Sequence, residues 1–131
     1  MSIIQRMDPK AAHQALTQTP GSVLIDVRDP IESKFVGYPK GAHNIPWKFA
    51  PDMRLNDRFL AEVKAVASAE TPIYLLCRSG QRSMQAAELL EAEGFKRLVN
   101  IEEGFEGDLD QNKHRSNTGG WRFYGLPWEQ S

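Results

Sequence analysis

The 131-residue sequence has one cysteine, Cys77, so no disulfide can form within the chain. It has no run of apolar residues approaching the ~20 that a membrane-spanning helix needs. Met1 to Lys10 lacks a basic segment followed by an apolar one, so a secretory leader is not expected and the cytoplasm is the expected compartment. There is also no excess charge, since 16 Lys and Arg oppose 17 Asp and Glu for a net charge of -1. A general binder of nucleic acid or of anionic membranes needs a basic surplus, and both classes are set aside. No internal repeat or low-complexity stretch interrupts the chain. No obvious exposed apolar stripe points to a second copy, so a monomer is expected.

What is present has ordinary globular composition, with 40% hydrophobic and 25% charged residues, enough for one core. Apolar, β-rich runs alternate with amphipathic ones. Ile3-Ile4 is read as a short edge strand. Asp8-Pro9 is an N-cap with proline at the first helical position, and the helix runs Lys10 to Gln18 before Pro20-Gly21 breaks it. Ser22 to Val27 is a buried strand. Asp29-Pro30-Ile31-Glu32 starts a second helix with a capping-box spacing. A loop from Phe35 to Pro46 contains a short strand at His43 to Ile45. A third helix is predicted from Asn56 or Asp57 to about Ala69, its apolar face formed by Phe59, Leu60, Val63 and Val66. Pro72 to Leu76 reads as a central strand, Arg82 to Glu93 as a helix closed by Gly94, and Leu98 to Ile101 as the last strand. A short helix is expected around Gly104 to Leu109. Strands alternating with helices imply a parallel sheet covered on both faces. The polar then aromatic tail should pack onto the domain through Trp121, Phe123, Tyr124 and Trp128.

A lone cysteine is more often core filler than nucleophile. The surroundings of Cys77 argue otherwise. A hydrophobic strand, Ile73 to Leu76, ends at the cysteine; a short loop with Gly80 follows, and a helix begins. In open parallel sheets ligands bind beyond the carboxyl ends of the strands. A loop entering a helix presents backbone N–H groups without intrahelical partners. Curled around the sulfur, they form an anion-binding nest, and Gly80 permits the turn. Arg78 and Arg82 add positive charge, and such a setting favours the reactive thiolate. His13, His43 and His114 lie far from Cys77 in sequence, and no Cys-His dyad is read from them.

The segment Cys77-Arg78-Ser79-Gly80-Gln81-Arg82-Ser83 resembles the active-site loop of rhodanese-like sulfurtransferases. Leu24-Ile25-Asp26-Val27-Arg28 and Gly41-Ala42-His43-Asn44-Ile45-Pro46 resemble that family's first and second signatures, in the same order. The resemblance extends from about Ile3 to Leu109. Two departures stand out: Gly37-Tyr38 where Gly-His is common, and Gly104-Phe105-Glu106-Gly107-Asp108 where a double glycine and a tryptophan are common. Both imply altered packing rather than lost chemistry. The run Gly120 to Trp128 resembles an extension of some bacterial single-domain members.

The resemblance implies a three-layer α/β domain at residues 1–109, with a mostly parallel sheet of about five strands flanked by helices, and a C-terminal extension at 110–131. It implies that Cys77 takes a sulfur atom from a donor such as thiosulfate, becomes a persulfide, and passes the sulfur to cyanide or a thiol; a protein sulfur carrier is a further possible partner. No cofactor and no metal is called for. Ser79, Gly80, Gln81 and Arg82 would offer backbone N–H groups to the bound sulfur, with Arg78 and Ser83 completing the substrate loop. Asp26, Arg28 and Glu32 would brace it. Arg82 either faces substrate or pairs with Asp26 or Glu32, bracing being favoured. Trp47 either rims the pocket or packs in the core. Two rival functions remain: a non-catalytic regulatory or sulfur-relay module, and a cysteine phosphatase or arsenate reductase. The latter enzymes place one residue more between cysteine and arginine than the four found between Cys77 and Arg82, and Ser83 stands where their arginine would be.

Overall fold

Two sets of side chains alternate along the central strands and commit each set to a different face. Leu24, Tyr74, Leu76, Val99 and Ile101 join one buried cluster; Ile25, Ile73, Leu75 and Leu98 join another. That period-two division is what a strand buried on both faces requires. The computed structural model, which describes residues 2–130, satisfies it with a five-stranded sheet. The strands are β1 (Gln5–Met7), β2 (Val23–Asp26), β4 (His43–Asn44), β7 (Ile73–Leu76) and β8 (Leu98–Ile101). Their order is β1-β8-β7-β2-β4, and every pairing is parallel. Two small antiparallel pairs lie outside it: β3 (Tyr38–Pro39) with β9 (Trp128–Glu129), and β5 (Lys48–Phe49) with β6 (Arg54–Leu55).

Helices α3 (Phe59–Lys64) and α4 (Gln81–Ala92) cover one face through Phe59, Val63, Ala86, Ala87 and Leu90. Helix α1 (Pro9–Gln18) covers the other with Ala12, beside Phe105 and Trp121. Asp8 accepts the Ala11 N–H at 2.8 Å, and Pro9 fills the first helical position, as read from the sequence. Helix α2 (Pro30–Val36) carries a complete capping box: Asp29 accepts from Ile31 N–H at 2.8 Å, and Glu32 accepts the Asp29 N–H at 3.1 Å. No helix among the described residues is long and apolar enough to cross a membrane.

The structure differs from expectation in several places, among them the start of α3, which begins at Phe59 rather than Asn56 or Asp57. The edge strand lies at Gln5–Met7, not Ile3-Ile4, because β8 offers its free side to that stretch, pairing Gln5 with Val99 and Met7 with Ile101. Helix α3 stops at Lys64 rather than Ala69; Val66 and Ala67 N–H groups turn back to the Val63 carbonyl, and Thr71 bonds back to Ser68 to aim the chain into β7. No helix forms at Gly104 to Leu109. Glu103 and Gly104 take positive φ (70° and 59°), and the Phe105 and Glu106 N–H groups donate to Cys77 and Arg78 carbonyls instead of to their own helix. In the tail, Trp121 is buried and Trp128 packs on Gly37, but Phe123 stays exposed beside Tyr124.

Candidate active site

Cys77 is the first residue beyond β7, at the carboxyl edge of the sheet, and is 1% exposed. The loop 77–80 turns into α4 at Gly80, whose φ of 116° is a conformation that side-chain-bearing residues rarely adopt. That turn aims the Gly80 N–H at Cys77 Sγ, 3.1 Å away. It is the only loop amide among the described residues that hydrogen-bonds the sulfur, so the expected ring of amides does not close on Sγ itself. Next to it lies a cavity of about 50 Å³, lined by Cys77, Arg78, Ser79, Gln81 and Arg82. A larger hollow of about 260 Å³, between His13, Leu24, Lys40 and Trp121, is not bordered by Cys77.

Ser83 lines no part of that cavity. It is fully buried, with its Oγ 3.3 Å from Cys77 Sγ and 2.5 Å from Asn100 Oδ1. The expected substrate loop thus divides in two: Arg78, Ser79, Gln81 and Arg82 border the open space, while Gly80 and Ser83 touch the sulfur from within the fold.

Arg82 braces rather than reaching free. Its guanidinium donates to both oxygens of Glu32, at 2.6 and 2.8 Å, an arrangement that fixes a plane as well as a distance. Burial works against the charge on Glu32, but Arg82 and the Asp29 N–H outweigh it and hold the carboxyl below its ordinary range. The hydrogen bonds to Glu32 push Arg82 further up. Asp26, the other expected partner, binds Arg28 instead, at 2.9 Å to Nε and 2.7 Å to Nη2. Arg28 is wholly buried, donates to the Gly37 carbonyl at 2.7 Å, and lies 4.5 Å from the centre of the Phe105 ring. Trp47 packs edge-on against Phe59 and donates to Gln85, in the core arrangement and not on the cavity wall. None of the three histidines hydrogen-bonds to Cys77; His13 packs against Trp121.

Sequence reasoning missed a main-chain relay behind the loop. Phe105 N–H donates to the Cys77 carbonyl at 2.8 Å and Glu106 N–H to the Arg78 carbonyl at 3.0 Å. The carbonyls of the same two residues accept from the tail, from Arg122 N–H at 3.1 Å and Ser116 N–H at 2.7 Å. Glu103 Oε1 adds bonds to Gly120 N–H and Tyr124 Oη. The tail thereby holds the strip that holds the cysteine loop. Asn100 was missed too. Its signal was present: a lone amide side chain in the otherwise apolar run Leu98-Val99-Asn100-Ile101.

Residues 8–111 match the family model described as "Rhodanese-like domain". The uncharacterized protein RP600 of Rickettsia prowazekii is 33% identical over 129 residues, which cover 97% of this chain and 98% of that protein. Thiosulfate sulfurtransferase GlpE of Pseudomonas syringae is 30% identical over 106 residues, covering 81% of this chain and 88% of GlpE. Among solved structures, Rv0390 from M. tuberculosis superposes with a TM-score of 0.88 at 38% identity, covering 97% of this chain and 98% of that one.

Proposed function

The chain belongs to the rhodanese-like domain family, and we propose that it is a sulfurtransferase carrying sulfane sulfur on Cys77. The observation that carries this reading is the lone thiol at the sheet's carboxyl edge, held by the Gly80 N–H at 3.1 Å and opening onto a space of about 50 Å³. Only four residues separate Cys77 from Arg82, and the buried Ser83 stands where a cysteine phosphatase would place its arginine, which disfavours the phosphatase reading.

In the first step the Cys77 thiolate attacks the outer sulfur of thiosulfate. The sulfur–sulfur bond of the donor breaks, and sulfite leaves with its electron pair. Cys77 becomes a persulfide whose outer sulfur carries the negative charge. In the second step cyanide or a thiolate attacks that outer sulfur, and Cys77 departs as thiolate. The charges balance in both steps without a redox partner. Arg78 brings positive charge to the cavity, and the Arg82–Glu32 pair fixes one wall. The amides of Ser79, Gln81 and Arg82 are the groups available to the outer sulfur; a hydrogen bond to a charged acceptor is worth ~1.5–3 kcal/mol. We read the partners as a small sulfur donor and a thiol, cyanide or protein sulfur-carrier acceptor, the chain acting as a cytoplasmic monomer. Residues 110–131 form an extension whose task is to steady the cysteine loop through Phe105 and Glu106.

Incubation with thiosulfate followed by intact mass spectrometry tests the site. The wild-type chain should gain one sulfur atom, lost again on adding cyanide, and Cys77→Ser should gain none. Equal gain by the serine variant would overturn the assignment.

A further inference from the structure

Behind the sulfur, Ser83 and Asn100 share a single proton, and its position bears on which form of Cys77 is favoured. Asn100 is 1% exposed. Its amide fits only one way round. Nδ2 faces the Gly80 carbonyl and Glu102 Oε2, each at 3.2 Å, and both are acceptors. Turned over, the amide would set oxygen against two oxygens. Oδ1 therefore faces Ser83 Oγ at 2.5 Å, and an amide oxygen can only accept. The hydroxyl has one proton, and this contact takes it. The Gly80 carbonyl, 3.2 Å from Ser83 Oγ, already receives Asn100 Nδ2 and the Met84 N–H. What Ser83 turns toward Cys77 Sγ, 3.3 Å away, is a lone pair.

We propose that Asn100 is a positioning residue that keeps the Ser83 proton off the sulfur, and so favours the loaded, persulfide form of Cys77 over the bare thiolate. The inference rests on the persulfide reading given above. In the persulfide, Sγ is neutral, bonded to carbon and sulfur, and the charge sits on the outer atom in the cavity; Sγ then needs no donor from Ser83. In the thiolate the full charge lies on Sγ, which has the Gly80 N–H but faces an oxygen lone pair on its buried side. Giving up sulfur converts the first state into the second, so Asn100 opposes unloading. The charged groups around the sulfur are Arg78 on the loop, Arg82 with Glu32, the Asp26–Arg28 pair at the end of β2, and Glu102 beside Arg6 at the β8 end. The variants below leave all of them in place.

The quantity to measure is the loaded-to-unloaded ratio of Cys77, by intact mass, at a fixed ratio of glutathione persulfide to glutathione. The exchange is Cys77–S⁻ plus GSS⁻ giving Cys77–S–S⁻ plus GS⁻. The buffer is made alkaline enough that ultraviolet absorbance shows the unloaded sulfur as thiolate. Asn100→Leu frees the hydroxyl to donate to the thiolate, and the ratio should fall about tenfold, the worth of one charge-assisted hydrogen bond. In a Ser83→Ala background Asn100→Leu should change nothing further. Ser83→Ala alone should leave the ratio unchanged or lower. A rise of about tenfold on Ser83→Ala would mean that Ser83 had been donating to the thiolate, and would overturn the proposal. So would an unchanged ratio in Asn100→Leu, or an equal fall in the alanine background. If Asn100→Leu does not fold, the sign of the Ser83→Ala effect decides alone. If wild type never gains sulfur, the sulfurtransferase reading fails separately; thiolate absorbance of the unloaded chains then tests Asn100, and no gain of thiolate in Asn100→Leu at equal pH would overturn it.

Discussion

Replacing Glu32 by glutamine removes one charge from the brace on the cysteine loop while keeping the side chain's shape. Glu32 receives two short bonds from Arg82 and one from the Asp29 N–H, so it serves the start of α2 and the start of α4 together. Exposed ion pairs contribute ~0.2–1 kcal/mol, and removing one partner of a fully buried pair costs ~3–5 kcal/mol. The Arg82 and Glu32 side chains are 15% and 27% exposed, between those limits. Glutamine still accepts one bond from Arg82, so the expected loss is about 2 kcal/mol at neutral pH. The pH dependence has a definite sign. The folded-state carboxyl titrates below its ordinary range, because Arg82 and the Asp29 amide outweigh the burial that opposes the charge. Its contribution is therefore complete above the ordinary carboxylate range and disappears as the pH falls through the lowered folded value. Urea unfolding of wild type and Glu32→Gln, stepped from neutral to acid pH, should show a gap that narrows toward acid. Turnover with thiosulfate should fall several-fold at neutral pH as Arg82 loses its fixed position. A neutral-pH gap under about 0.3 kcal/mol, or one that persists undiminished in acid, would show that the pair does not brace the loop.

Asp26→Asn should be more damaging than Glu32→Gln. It strips the charge partner from Arg28, which is wholly buried and whose Nη1 already has no hydrogen-bond partner. A loss of about 3–5 kcal/mol is expected, read as a large drop in the urea midpoint at unchanged slope. Gly104→Ala tests the strip behind the loop: a Cβ there would lie 2.3 Å from the Cys77 carbonyl oxygen and 2.7 Å from Arg78 backbone atoms. The cysteine loop must shift, and the rate of sulfur uptake should fall at least tenfold. Gly94→Ala is the matched control, with φ of 96° but open space around the new methyl; it should cost ~1–2 kcal/mol and leave uptake intact. Equal uptake by the two alanine variants would refute the claim that the strip positions the loop.

The parts of the fold that the sequence made legible are those whose signal is local. Asp8-Pro9 and the Asp29–Glu32 box specify helix starts through bonds within four residues, and both appear in the structure as read. The buried strands announce themselves by consecutive apolar residues, because both faces must be covered. What stayed hidden depends on partners far along the chain. Gln5–Met7 is polar enough to pass for loop and becomes a strand because β8 has an unpaired side. Helix α3 loses its expected last turn to the geometry of reaching β7. The choice of Glu32 over Asp26 for Arg82 could not be made from spacing, since both carboxylates precede the loop; it follows from Arg28 occupying Asp26.

The site shows the same division more sharply. Cys77, Gly80 and the arginines are recognisable because their chemistry is carried by residue type. The strip at residues 104–106 works through peptide groups, which every residue possesses, so most of it leaves no compositional mark. Only Gly104 records it, and its role could be misread as a helix terminator. The tail compounds the difficulty. Its Trp121 looked like simple packing, yet the Trp121 N–H donates to the Gly104 carbonyl and its neighbour Arg122 holds Phe105. One segment thus fills the core and fixes the backbone on which the cysteine loop hangs. A substitution in this tail can weaken sulfur handling without approaching Cys77, because each link from Arg122 through Phe105 to the Cys77 carbonyl is a hydrogen bond of about 3 Å with little freedom to lengthen.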